Sequence, residues 1–129
     1  MNPGESLEPR EFVVTRTDLV RYAETSGDHN PIHQDESVAH SVGLPGVIAH
    51  GMYTLALAAR AVAEWTDGAE VVDLGCKFTN PVVVPGEHGA HVSVGGTVKS
   101  VEDGLVTIAL EVTCEGQKVL GMPRAVVRG

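Results

Sequence analysis

The sequence predicts an α+β domain in which an antiparallel sheet curls around one long helix. Three observations predict it. Residues 51–65 form an apolar segment of helical length, with Ala56, Ala58, Ala59, Ala61 and Ala63 along it. After residue 69 the pattern changes to period two: Val106, Ile108, Leu110, Val112 and Cys114 alternate with Thr107, Ala109, Glu111 and Thr113. The chain carries 15 Gly and 7 Pro in 129 residues, the punctuation expected of many short strands and turns.

Each element has its own signal. Residues 1–9 read as a loose arm, and Glu11 to Thr15 as a short first strand. Thr17 suits a helix N-cap, Asp18 its first turn and Gly27 the residue past its end, with Leu19, Val20 and Ala23 as the apolar stripe. Asn30-Pro31 cannot continue that helix, because the residue before proline is pushed toward extended geometry. A second short helix is expected from Asp35 to about Val42, stopping at Gly43, and Leu44-Pro45-Gly46 is a turn. The main helix, Gly51 to Trp65, is small and apolar on nearly all sides, so it is expected to be buried. Val71 to Thr79 reads as a strand, and Val92, Val94 and Val98 as another, with a bulge or bend at Gly95-Gly96. Lys118 to Val127 is the last strand, with Pro123 placing it at an edge or giving it a bulge. Glu102-Asp103-Gly104 and Glu115-Gly116-Gln117 are hairpin turns.

The length suits one domain over residues 1–129. With 43% hydrophobic and 4% aromatic residues, the core must be built from Val, Ala, Leu and Ile. A net charge of −8 disfavours nucleic acid or an anionic membrane as partner. It leaves room for a phosphate-bearing substrate at a local cation, for which Arg60, Lys77 and Arg124 are the candidates, although each reads first as an ordinary solvated charge. Cys76 and Cys114 lack CxxC spacing and sit in apolar runs, so they are expected as buried reduced thiols. The apolar stretch Gly51 to Ala63 is too short to span a bilayer, and the polar start has no leader pattern. The expectation is a soluble, cytoplasmic protein.

The chemistry concentrates in Ser26-Gly27-Asp28-His29-Asn30-Pro31-Ile32-His33. It sets a carboxylate and an imidazole on either side of a rigid turn. Pro31 fixes the backbone between Asp28 and His33, and Asn30 ties the turn through its amide. Farther on, Ala49-His50-Gly51-Met52 opens the main helix, where Gly51 can offer a free N–H to a developing negative oxygen. An Asp and a His move two protons, which suits adding water to, or removing it from, a carbonyl-activated carbon–carbon bond. The bland reading makes Asp28 an ordinary turn-capping group. His29 and His33 stand at i,i+4, but Pro31 spoils the helix a metal pair would need, so no metal is expected. His50 reads as structural, holding the loop before the helix. Tyr53 and Trp65 read as core or dimer contacts, and His40, His88 and His91 as surface or core fillers.

The string from Ser26 to His33, with Ala39 and then Ala49-His50-Gly51-Met52, resembles the signature of the MaoC-like, or (R)-specific enoyl-CoA hydratase, family. Phe78-Thr79-Asn80-Pro81 running on to Val84-Pro85-Gly86-Glu87 resembles its second landmark. The resemblance runs from Glu11 to Val127 and is strongest to the catalytic subunit of actinobacterial (3R)-hydroxyacyl-acyl-carrier-protein dehydratases. It implies a hotdog fold, Asp28 and His33 as a catalytic dyad, and the Gly51 N–H as donor to a thioester carbonyl. It also implies a supporting hydroxyl on the central helix, where this chain has Ala59. The implied activity is reversible syn hydration of trans-2-enoyl thioesters to (R)-3-hydroxyacyl thioesters. No cofactor is expected beyond the coenzyme A or phosphopantetheine that carries the acyl group. The implied partners are an acyl carrier protein and a second hotdog chain, as homodimer or heterodimer. His33 is expected at the C2 proton and Asp28, with a pKa raised by burial, at the C3 oxygen; the residues alone leave the reverse assignment open. His50, Met52, Asn30 and Pro31 are expected to support the site. Two other functions compete: a non-catalytic hotdog subunit, and a thioesterase. The intact Asp28/His33 pair argues against the first, and the absence of Asp or Glu from Gly51 to Ala63 against the second.

Overall fold

A computed structural model describes all 129 residues. Strand β1 (Ser6–Val14) leads to helix α1 (Arg16–Ser26), a 3₁₀ turn (Pro31–His33), α2 (Glu36–Ser41) and the long helix α3 (Gly51–Thr66). Five strands follow: β2 (Val71–Phe78), β3 (Ala90–Glu102), β4 (Leu105–Cys114), β5 (Gln117–Lys118) and β6 (Leu120–Arg128). They form one antiparallel sheet in the order β1-β3-β4-β6-β2, with β5 beside β4. The expected α+β architecture is present. Its core is aliphatic, with Val92, Val94, Val98, Ile108 and Val112 of the sheet buried with Leu57, Ala58, Ala61 and Val62 of α3.

Several boundaries differ from expectation. The first strand begins at Ser6, so much of the supposed loose arm is sheet: Ser6 lies opposite Thr97 and Leu7 opposite Gly96. Leu7 is the reason, because its side chain is buried while its neighbours are exposed. Between Leu7 and Arg10 the register slips, so Glu8 and Pro9 together face Gly95 as a bulge. The irregularity expected at Gly95-Gly96 therefore sits on the neighbouring strand. β3 itself passes both glycines in register with β4 and is interrupted only between Val98 and Ser100. Gly96 has a separate purpose: a Cβ there would stand 3.0 Å from the Trp65 ring and 3.2 Å from Ile108. The Trp65 indole N–H donates to the Glu8 carbonyl at 2.7 Å, tying the end of α3 to β1.

Helix α1 is capped by Thr15, not Thr17. The Thr15 hydroxyl accepts from the Asp18 N–H and Asp18 accepts from the Thr15 N–H, a reciprocal capping box. Gly27 closes it at φ +80°, as expected. Leu19 and Ala23 are buried, whereas Val20 is exposed. Helix α3 is not buried all round. A single curved sheet covers one side of it, and Met52, Ala56, Arg60 and Ala63 remain exposed on the other. β6 lies inside the sheet between β4 and β2, so Pro123 marks a bulge and not an edge: Met122 and Pro123 together face Cys76. The expected strand from Lys118 is split at Val119 into β5 and β6. Both predicted hairpin turns carry consecutive positive φ values, +52° and +75° at Asp103-Gly104 and +52° and +76° at Glu115-Gly116.

Cys114 is buried, while Cys76 is only half-buried, and both are free thiols. No helix is long and apolar enough to cross a membrane. β2 has one unpaired edge, along which Val71, Val72 and Phe78 are exposed.

Candidate active site

The local sequence sets Asp28 and His33 on either side of a tightly bonded turn. The Asn30 side-chain oxygen accepts the Ile32 N–H at 3.2 Å, and Pro31 starts the 3₁₀ turn without an amide to satisfy. Asp28 Oδ1 accepts the Asn30 N–H at 3.2 Å, and the Ser26 hydroxyl accepts the Asp28 N–H at 3.2 Å. The turn brings Asp28 Oδ2 to 3.9 Å from His33 Nε2. His29, between them, is exposed.

His33 is buried, with its Nδ1 2.8 Å from the carbonyl of Ile48. A carbonyl only accepts, so Nδ1 donates to it, and Nε2 is left to face Asp28. Ile48 is held in turn by its own N–H on the Ile32 carbonyl at 3.2 Å and by a bridge to Val83. Asp28 departs from expectation: its side chain is 53% exposed. The burial that would make it an acid is not supplied by this chain alone.

His50 is the N-cap of α3 but makes no side-chain cap bond. Ser, Thr, Asp or Asn at such a position would stabilise the helix by about 1 kcal/mol. Instead its ring lies 2% exposed beneath the turn, stacked on His33 with centroids 3.8 Å apart and planes at 20°. Its Nε2 is 3.1 Å from the backbone carbonyl of Asp28, and its Nδ1 is buried without a partner. An unmade bond of that kind costs about 1–3 kcal/mol. Tyr22 of α1 also packs against the ring, tilted at 60° with centroids 4.8 Å apart.

The first amides of α3 are open. The Tyr53 and Thr54 N–H groups bond back to the His50 carbonyl, whereas those of Gly51 and Met52 have no protein acceptor. A Cβ at Gly51 would stand 2.9 Å from the ring of Phe78, an exposed side chain that would have to turn aside.

Asp28, His33, His50, Gly51 and Met52 share one cavity of about 500 Å³. Its apolar wall includes Ile48, Phe78, Val82 and Leu120. Asn30 and Pro31 do not line it and act through the turn. Ala59 does not line it either, but Thr54, a buried hydroxyl one helical turn after Gly51, does. Sequence reasoning missed Thr54, Tyr22 and Phe78 as site residues. For Thr54 the signal was present, because i,i+3 spacing from Gly51 puts both on one helix face. Tyr22 and Phe78 arrive from α1 and β2 through tertiary packing, which no local pattern reports.

Asp28, His33 and His50 each offer an atom within 4.8 Å of the others, a spacing open to a metal ion. The stacking argues against one. Lone pairs lie in the ring planes, and nearly parallel planes about 3.8 Å apart do not converge on an ion that bonds nitrogen at about 2.0–2.1 Å. Of the candidate phosphate cations, Arg124 is paired with Asp73 at 3.1 Å and Arg60 with Glu64 at 3.2 Å. Lys77, beside Phe78, is exposed and forms no ion pair.

The family model for the MaoC like domain matches residues 1–116. The chain belongs to the MaoC-like domain family. A 3-hydroxyacyl-thioester dehydratase X of Mycobacterium tuberculosis is 40% identical over 83 residues, covering 64% of this chain and 29% of that protein. Among solved structures, a MaoC-like dehydratase superposes with a TM-score of 0.95 at 35% identity, covering 99% of this chain and 40% of the other. The R-hydratase PhaJ1 of Pseudomonas aeruginosa superposes with a TM-score of 0.85 at 26% identity, covering 99% and 82%. The MaoC-like chain thus has the hotdog fold that the resemblance implied, and it spans less than half the length of the first two relatives.

Proposed function

We propose that this MaoC-like chain is a hydro-lyase that interconverts trans-2-enoyl and (R)-3-hydroxyacyl thioesters. The observation that carries the reading is Asp28 Oδ2 at 3.9 Å from Nε2 of His33, in a cavity also lined by Gly51, whose N–H has no protein acceptor. The names of the relatives, dehydratases and an R-hydratase, support the same reaction class.

In dehydration, the Gly51 N–H receives the thioester oxygen as charge develops there, with the dipole of α3 behind it. His33 Nε2 takes the C2 proton. The C2–H electrons form the C2–C3 double bond and the C3–O bond breaks. The departing oxygen takes the proton back from the His33 imidazolium and leaves as water, while Asp28 accepts its hydrogen bond. Hydration runs these steps in reverse. This assignment keeps His33 at C2 and Asp28 at the C3 oxygen, with Asp28 as carboxylate, consistent with its exposure. Each positioned proton transfer is worth about 10²–10⁴-fold. Of the three candidate cations, Lys77 is the one free of an ion pair and so open to a phosphate of coenzyme A or phosphopantetheine.

A second hotdog chain, identical or not, pairs along the open β2 edge and covers the bare face of α3. The exposed Val71, Val72, Phe78, Met52 and Ala56 support this.

The test mixes purified protein with a trans-2-enoyl-CoA and follows the conjugated absorbance together with free thiol. Loss of absorbance without thiol is expected. Thiol release would make the protein a thioesterase. Neither change, with or without a partner chain, would make it an accessory subunit.

A further inference from the structure

We propose that His50 is a positioning residue that joins the two halves of the dyad and holds them in register. The inference rests on the hydratase reading, but its geometry stands apart from it. Asp28 reaches the site from the end of α1, and His33 from the 3₁₀ turn. His50, at the start of α3, touches both. Its Nε2 must carry the proton, because its partner is the Asp28 carbonyl at 3.1 Å. Its face lies on the His33 ring at 3.8 Å. One rigid side chain therefore fixes the Asp28 backbone through a bond and the His33 plane through contact.

Two features make a purely structural role a poor account. A residue chosen to start the helix would cap it, and His50 does not. A residue chosen to fill space would not bury an unpartnered Nδ1. An imidazole is the side chain that combines a flat stacking face with a donor at Nε2. Phe has the face alone, and Gln a donor alone. Tyr22, tilted against the His50 ring at 4.8 Å and edge-on to Tyr53 at 5.3 Å, adds a second aromatic contact that restrains the ring.

Histidine-ring ¹⁵N–¹H spectra of the full chain and its His50→Phe and His50→Gln variants give a readout independent of turnover. The wild type is expected to show His50 as the Nε2–H tautomer and His33 as the Nδ1–H tautomer. In either variant, His33 should move toward averaged signals as its ring loosens. With crotonyl-CoA as probe, His50→Phe should lower kcat by about 10²-fold with KM nearly unchanged, the size of loss that follows a misplaced reacting group. His50→Gln should lose less. In a His33→Ala background, His50→Phe should cost almost nothing more, because residues acting as a unit are not additive.

Unchanged His33 signals in a folded His50 variant would overturn the proposal, as would losses that multiply in the double variant. If His50→Phe fails to fold, His50→Gln carries the same comparisons. A wild type that leaves crotonyl-CoA unchanged would count against the hydratase reading, while the ring spectra would still decide the role of His50.

Discussion

His33 divides its two nitrogens between structure and chemistry. Nδ1 is committed to Ile48, and Nε2 is left facing Asp28 in the cavity. In the proposed reaction, His33→Ala removes the base and Asp28→Asn the carboxylate beside it. Each is expected to lower kcat/KM for enoyl-CoA hydration by at least about 10²-fold while the chain still folds, with the melting temperature nearly unchanged for exposed Asp28 and lowered for buried His33. A rate assay paired with thermal melts checks both. Gly51 is constrained by space and not by backbone angle. Gly51→Ala should push a methyl toward the Phe78 ring, 2.9 Å away, and cost less than the about 1–3 kcal/mol of core overpacking, because exposed Phe78 can turn aside. Adding Phe78→Ala should relieve the clash, so denaturant melts of the double variant should show less Gly51→Ala penalty than those of the single. The turn from Asp28 to His33 and the Gly51 amide were legible in the sequence because each is a local string whose turn chemistry defines its shape. Asp28's exposure was not legible, because burial depends on what packs above it.

The elements were read well where a period defines them and poorly where one side chain does. β4 declares itself by alternation over ten residues. The start of β1 depends on Leu7 alone, and its bulge is recorded only by Pro9. The open face of α3 was hidden by alanine, which suits a buried and an exposed helix surface alike. Gly96 shows how an element can be fixed by a neighbour far along the chain. Gly96→Ala is expected to destabilise the protein by about 1–3 kcal/mol, because its methyl meets Trp65 at 3.0 Å. Gly95→Ala, with nothing within 4 Å, should cost less. Denaturant midpoints of the two variants make the comparison directly.

For the whole molecule, charge and edges set the behaviour. Tyr53 is held above its ordinary 10.0, first by burial and then by nearby Asp18, with Arg60 opposing. Burial likewise lifts Cys76 and Cys114 above 9.0. These groups keep their protons longer when folded, so their contribution is full below the unfolded values and fades as pH rises through the folded ones. Melting temperature should therefore fall on the alkaline side, and Tyr53→Phe should make the fall beyond pH 10.0 shallower. The β2 edge belongs to this scale too. Val72→Lys should weaken pairing between chains, and sedimentation velocity should then show more monomer than in the wild type. Trp65 closes the account in a practical way. It is the chain's sole tryptophan, so its fluorescence comes from a point where β1 is fastened to the helix. An emission change that precedes loss of far-ultraviolet ellipticity would time the peeling of that strand, making the protein its own optical gauge of partial opening.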